Sequence, residues 1–176
     1  MRRLTLSKII LILCLLFVMI TGAAYYRYVY NKPYNLLANP YDDIREGISK
    51  LDDNKLLVVV LGANWCPECR ALASDFNNVD FIKLISSSYS VVKVDVNGWD
   101  RNMDIVEDLG NPVKGGIPTI LLIDKNKRIL LTRTGSQLAN DKKRHGSYLA
   151  YFTYLIESYR SRNKGTEYSD GITLDI

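Results

Sequence analysis

The sequence predicts an α/β domain, a central mixed sheet with helices on both faces. Three observations carry this. Leu56-Leu57-Val58-Val59-Val60-Leu61 is a β-rich apolar run of strand length, hydrophobic at every position, as a central strand covered on both sides requires. Apolar residues recur at helical spacing on either side of that run. Further on, an apolar run ending at Ile123 meets the turn residues Asp124-Lys125-Asn126-Lys127 and the return run Arg128-Ile129-Leu130-Leu131-Thr132, which together read as a hairpin.

Taken in order, residues 1–8 are short and positive, Ile9 to Ile20 is unbroken apolar sequence, and Thr21-Gly22-Ala23-Ala24 is small. That is the order of a secretory signal. The apolar run alone is short for a spanning helix, which needs about 20 residues. Extended through Tyr25 and Tyr26 it is long enough, with aromatics at the interface. Residues 1–24 are therefore read as a signal peptide cleaved after Ala24 or as a membrane anchor. Cys14 sits in mid-run behind Leu13 and reads as a spectator.

Residues 25–40 read as a linker. Asn39 can cap a helix with Pro40 at its first position, and Ile44, Ile48 and Leu51 carry it over about 41–53. After the central strand, Gly62-Ala63-Asn64 breaks the run, and Pro67 opens a helix bearing Cys69, Leu72, Ala73 and Phe76. A break at Asn77-Asn78 leads to more helix with Phe81, Ile82 and Ile85. Ser90 to Val96 is the next strand, a short helix follows over about 101–109, and Gly115-Gly116 turns into the hairpin. Lys142-Lys143-Arg144 and His145 read as a solvated loop. Tyr148, Leu149, Phe152, Leu155, Ile156 and Tyr159 mark a final amphipathic helix. The domain spans 41–160, and 161–176 is a polar tail without periodicity.

The formal net charge is +4, but Arg2, Arg3 and Lys8 belong to the N-terminal segment, which holds no acid, and the rest carries 20 basic against 19 acidic residues. A near-neutral body gives no footprint for nucleic acid. Outside the cytoplasm thiols are usually oxidised unless kept reduced. Cys66 and Cys69, the two cysteines left by signal cleavage, enclose a tiny loop. Such a loop is a poor structural staple, because stabilisation by cross-linking grows with loop length. A redox-active Cys66–Cys69 disulfide is the better reading.

The motif Trp65-Cys66-Pro67-Glu68-Cys69 follows a strand and opens a helix, the arrangement that thiol exchange wants. The attacking species is the thiolate, and free N–H groups and the macrodipole at a helix N-terminus favour negative charge there. Cys66 is placed to attack a substrate disulfide, and Cys69, one turn on, to resolve the mixed disulfide. A zinc site needs four ligands. Two thiols and the distant His145 do not supply them, so no metal and no cofactor are expected. Glu68, inside the motif, is either a proton shuttle or simply exposed.

With Gly116-Ile117-Pro118-Thr119 before the hairpin, these residues resemble the thioredoxin superfamily over about 55–160, and the Trp-Cys-Pro-Glu-Cys form is similar to a group of bacterial exported thioredoxin-like proteins. The resemblance implies a thioredoxin-like fold. It implies that Pro118 is cis beside the dithiol and forms part of the substrate surface, that Ile117 offers backbone groups to an extended substrate, and that Trp65 packs over the centre. Lys93 falls where thioredoxins have a lysine near the centre, with a strand-edge charge as the plain alternative. Val60 stands where thioredoxins carry a buried acid, which bears on the pH dependence of exchange rather than on the reaction type.

These features lead to an exported thiol–disulfide oxidoreductase, periplasmic or otherwise extracytoplasmic. Glu68 adds negative charge near the thiolate, which favours a reductase of intermediate or low potential acting on disulfides of exported proteins. The resemblance suggests a DsbD-like membrane carrier as electron donor. The alternatives are an oxidase or isomerase on the same residues, and a non-enzymatic thioredoxin-fold module binding metal or protein.

Overall fold

The computed structural model describes residues 6–30, 32–163 and 172–173. Helix α1 (Leu6–Tyr30) is followed by α2 (Pro40–Ser49), β1 (Leu56–Gly62), α3 (Pro67–Asp75), α4 (Val79–Ser88), β2 (Tyr89–Asp95) and α5 (Met103–Asp108). A 3-10 turn (Pro112–Gly115) then leads to β3 (Thr119–Ile123), β4 (Arg128–Arg133), α6 (Gly135–His145), α7 (Tyr148–Asn163) and the two-residue β5 (Ile172–Thr173).

The strands lie in the order β2-β1-β3-β4-β5. β1 and β2 are parallel, with Val60 opposite Lys93 and Gly62 opposite Asp95. β3 runs antiparallel to β1, and β4 and β5 continue antiparallel. The sheet is mixed and the domain has a thioredoxin-like fold.

Alternation along β1 explains its unbroken hydrophobicity. Leu56, Val58 and Val60 join Cys69, Phe81 and Phe152 in one core, while Leu57, Val59 and Leu61 join Ile44, Ile105 and Leu121 in the other. Successive side chains of a strand point to opposite faces, so both faces here must be apolar. All six are buried, each worth about 1.5–3 kcal/mol relative to exposure. The α3–α7 side is closed by aromatic rings: Phe76, Phe81, Tyr89 and Tyr151 surround Phe152 or one another edge-on at 4.9–5.9 Å. Such rings add directional contacts to the burial of their area.

Local signals set the element ends. The Asn39 Oδ1 accepts from Tyr41 N at 3.1 Å with Pro40 first in α2, and the Asn78 Oδ1 accepts from Asp80 N at 3.0 Å at the start of α4. The hairpin turn is held by the buried Asp124, whose carboxylate accepts from Asn126 N, Arg128 N and Arg128 Nε at 2.8–2.9 Å.

Several boundaries differ from the sequence reading. α1 runs to Tyr30, so the first part of the expected 25–40 linker is helical. α2 ends at Ser49, four residues before the expected end, where the last turn tightens as Lys50 N and Leu51 N donate to the Gly47 and Ile48 carbonyls at 3.4 and 3.0 Å. Lys142-Lys143-Arg144 and His145, read as a solvated loop, are helical, because residues 135–145 form α6. Its polarity hid it, since among its residues only Leu138 and Asp141 are buried. Thr134 N donates to Gln137 Oε1 at 3.1 Å, and Gly146 at φ 84° ends the helix. The basic run therefore lies in a last helical turn, where cations oppose the negative end of the dipole. Lys142 Nζ sits 4.3 Å above the Tyr148 ring and 3.6 Å from Asp75, and the His145 ring stacks on Tyr154 and Tyr151. Of the expected tail, 161–163 continue α7 and 172–173 pair with β4, while 164–171 and 174–176 lie outside the described residues.

The described side chains of α1 are all exposed, Cys14 among them. Leu6–Tyr26 has mean hydropathy 2.5, and α1 is long and apolar enough to cross a membrane.

Candidate active site

β1 delivers the chain to the C-terminal edge of the sheet, and Gly62-Ala63-Asn64-Trp65 connects it to α3. Cys66 is the N-cap of α3: its backbone is extended, Pro67 takes the first helical position, and Cys69 N donates to Cys66 Sγ at 3.2 Å. An N-terminal helical N–H is thus satisfied by sulfur, an arrangement that also favours negative charge on that sulfur. Both thiols are free and buried. The Cys66 Sγ–H has two acceptors at long sulfur distance, Glu68 Oε2 and the Ile117 carbonyl, each at 3.8 Å. One proton cannot serve both at once.

The Ile117–Pro118 peptide bond is cis, and it follows Gly116 at φ 92°, a backbone conformation that side chains rarely adopt. The loop is backed closely by the start of α6. A Cβ on Gly135 would lie 3.1 Å from the Ile117 carbonyl oxygen, and one on Gly115 would collide with Thr134. A cysteine pair at a strand-to-helix junction therefore faces a cis X–Pro loop that opens an antiparallel strand. A family model described as thioredoxin-like matches residues 40–125.

The chain carries a thioredoxin-like domain.

Among sequences, it is 46% identical over 59 residues to Thioredoxin H4 of Arabidopsis thaliana, an alignment covering 34% of this chain and 45% of that protein. It is 34% identical over 85 residues to Thioredoxin H2 of the same plant, covering 44% and 52%. The chain thus spans about half the length of the curated relatives it matches. Among solved structures, a disulphide isomerase from Xylella fastidiosa Temecula1 matches with a TM-score of 0.62 at 29% identity, covering 73% of this chain and 98% of that one.

The thioredoxin-like site gathers only some of the residues singled out in the sequence. Cys66, Cys69, Glu68 and Ile117 are brought together, with Glu68 and Pro67 exposed, Ile117 half-buried and Pro118 buried. Trp65 is 56% exposed, and its Nε1 donates to the Asn97 carbonyl at 2.8 Å, which ties it to the β2–α5 loop. That loop holds Asn97 and Trp99 at positive φ. Lys93 is half-buried on β2 and lies in a groove with Lys32, Pro33, Arg70 and Asn77. Burial pushes its ammonium below the ordinary lysine value, and no charged group contributes. Among the described residues no three His, Cys, Asp or Glu side chains are placed to hold a metal ion.

Burial of the resolving position has a clear electrostatic result. The Cys69 thiol is pushed up to about 12, first by desolvation and then by its hydrogen bond with Cys66; the Ala63 backbone and Tyr34 pull it back in part. Two contributors were missed in the sequence. Tyr34, in the segment read as linker, has a fully buried side chain in the same core cluster as both cysteines. Asn64 clamps it: Tyr34 N donates to Asn64 Oδ1 at 3.1 Å, and Asn64 Nδ2 donates to the Tyr34 carbonyl at 2.8 Å. The only signal was an aromatic residue after Pro33, indistinguishable in sequence from the other tyrosines nearby.

Proposed function

We propose that this protein is a thiol–disulfide oxidoreductase working outside the cytoplasm, chiefly as a reductase of disulfides in exported proteins. The observation that carries the reading is the Cys66 sulfur at the N-cap of α3, 3.2 Å from Cys69 N and 3.8 Å from the carbonyl beside the cis Ile117–Pro118 bond. Cys66 thiolate attacks a substrate disulfide. One substrate sulfur departs with the electron pair, and the other stays bonded to Cys66. Cys69 then attacks Cys66, forms the Cys66–Cys69 disulfide and releases the second substrate thiol. Thioredoxin-like relatives and an isomerase neighbour support this chemistry.

α1 supports export: it is an N-terminal apolar helix of the kind that serves as a signal or an anchor. A reductase there needs electrons from inside, and a DsbD-like membrane carrier is the donor class we assign. Ile117, Pro118 and Trp65 form the rim on which an extended substrate docks, and Glu68 Oε2 stands 3.8 Å from Cys66 Sγ.

The test is the redox equilibrium of the full chain in detergent against glutathione and dithiothreitol buffers. The expected couple is reversible, requires both cysteines, and lies roughly between −200 and −280 mV. A value near about −120 mV, as for a strong oxidant, overturns the reductase direction. The isomerase neighbour favours a second reading, which refolding of scrambled ribonuclease separates from insulin reduction. An isomerase refolds the scrambled enzyme efficiently; a reductase precipitates insulin and refolds poorly.

A further inference from the structure

Tyr34 places in the core a phenol whose hydroxyl makes no hydrogen bond. Its side chain is wholly buried, and its hydroxyl has no hydrogen-bond partner among the described residues. An unsatisfied buried hydroxyl is costly, and phenylalanine would fill the same space without that cost. The geometry around it is specific. The oxygen stands against Gly62: a Cβ there would lie 2.3 Å from it, so the glycine makes room for the hydroxyl. The Asn64 clamp fixes the Tyr34 backbone two residues before Cys66. The Tyr34 side chain lies in the same buried cluster as Cys66 and Cys69, and its hydroxyl and Cys69 interact electrostatically and as potential hydrogen-bond partners. On this side β1 presents only Leu56, Val58 and Val60, so no other polar side chain of the strand can serve the sulfur.

The partner missing in the dithiol is an anion that exists only during the reaction. We propose that the Tyr34 hydroxyl is the hydrogen-bond donor to the Cys69 thiolate in the resolving step. The inference rests on the oxidoreductase reading. In that step Cys69 gives its proton to solvent, and its sulfur electron pair attacks Cys66 Sγ of the mixed disulfide. The Cys66–Cys69 bond forms and the Cys66–substrate bond breaks. The substrate sulfur leaves with that electron pair and takes a proton from solvent, so the substrate is reduced and the dithiol oxidised. Tyr34 keeps its own proton throughout. Burial and the neighbouring Cys69 and Cys66 hold its hydroxyl well above the ordinary tyrosine value, and Asp95 acts in the same direction. It therefore works as a donor, not as a base. Once the disulfide has formed the charge is gone and the hydroxyl is unpartnered again.

Tyr34→Phe in the full chain, in detergent, tests this. The mixed disulfide of Cys66 with a chromogenic aromatic thiol is followed through formation and decay. Hydrogen bonds to charged groups are the strong ones, so resolution slows about 10- to 100-fold while attack changes far less. The alkaline rise of the resolving rate moves to higher pH, and the Cys69 ¹³Cβ titration in a Cys66→Ser background moves with it. Thermal stability stays level or rises, because an unsatisfied group has been removed. Equal slowing of both steps, or an unmoved Cys69 titration, assigns Tyr34 a packing role and overturns the inference. A wild type that cycles no faster than Tyr34→Phe overturns it alone. A wild type that forms no mixed disulfide overturns the oxidoreductase reading as well.

Discussion

Gly62→Ala is expected to destabilise the domain by a calculable steric route. Gly62 closes β1, and its φ lies outside the left-handed region, so alanine meets no backbone strain there. The added Cβ would instead stand 2.3 Å from Tyr34 Oη, 2.5 Å from Cζ and 2.9 Å from Cε1. Carbon contacts of ordinary packing begin roughly 1 Å further out. The ring cannot swing aside, because it is buried on all sides and its backbone is held by two hydrogen bonds to Asn64. Overpacking of this kind costs about 1–3 kcal/mol. With a urea dependence of about 1–3 kcal/mol per molar, the unfolding midpoint falls by about 1 M. Urea unfolding of the reduced protein, followed by circular dichroism, measures it. A midpoint within about 0.2 M of wild type refutes the close approach. A double-mutant cycle sharpens the result. Leucine at position 34 lacks all three clashing atoms, so Gly62→Ala costs less in a Tyr34→Leu background, with a coupling of about 1 kcal/mol or more. Independent, additive effects contradict the contact.

Three further outcomes are expected. Phe152→Ala removes the ring around which Phe76, Phe81 and Tyr89 pack at 5.4–5.7 Å, and costs about 3–5 kcal/mol in denaturant unfolding; a loss below about 1.5 kcal/mol shows that the aromatic cluster closes over the gap. Asn64→Ala deletes both hydrogen bonds to the Tyr34 backbone and costs about 1–3 kcal/mol, read by unfolding and by faster hydrogen exchange at the Tyr34 amide; unchanged exchange argues that the clamp is not formed. Reduced protein loses stability as pH rises from the ordinary thiol value of 9.0 towards about 12, because the folded Cys69 keeps a proton that the unfolded chain releases. The loss is confined to the dithiol, since the disulfide has no thiol to titrate, and a reduced-minus-oxidised stability difference that stays flat above pH 9.0 contradicts the raised Cys69.

The residues that define the chemistry were legible in the sequence because they follow one another in the chain. A six-residue apolar run, a break, and Trp65-Cys66-Pro67-Glu68-Cys69 state a buried strand, a turn and a helix start in consecutive positions, and local rules are enough for that. The Asn39 cap, the break at Asn77-Asn78 and the Asp124 turn were readable for the same reason. α6 was not, since its stability comes from Leu138 and Asp141 and from its terminal contacts rather than from an apolar stripe. Tertiary structure alone decided what surrounds the sulfurs. Cys66 and the Ile117 carbonyl are far apart in sequence and meet because β3 runs antiparallel beside β1. Lys93 was placed in register with Val60 by strand pairing, in a groove with Arg70 rather than in contact with a thiol. Tyr34, in a segment without secondary structure, joins the buried cluster of the two cysteines, where Gly62 leaves room for its hydroxyl. Spacing along the chain fixes which groups can react; packing across it fixes the dielectric, the donors and the charge that govern how they do so.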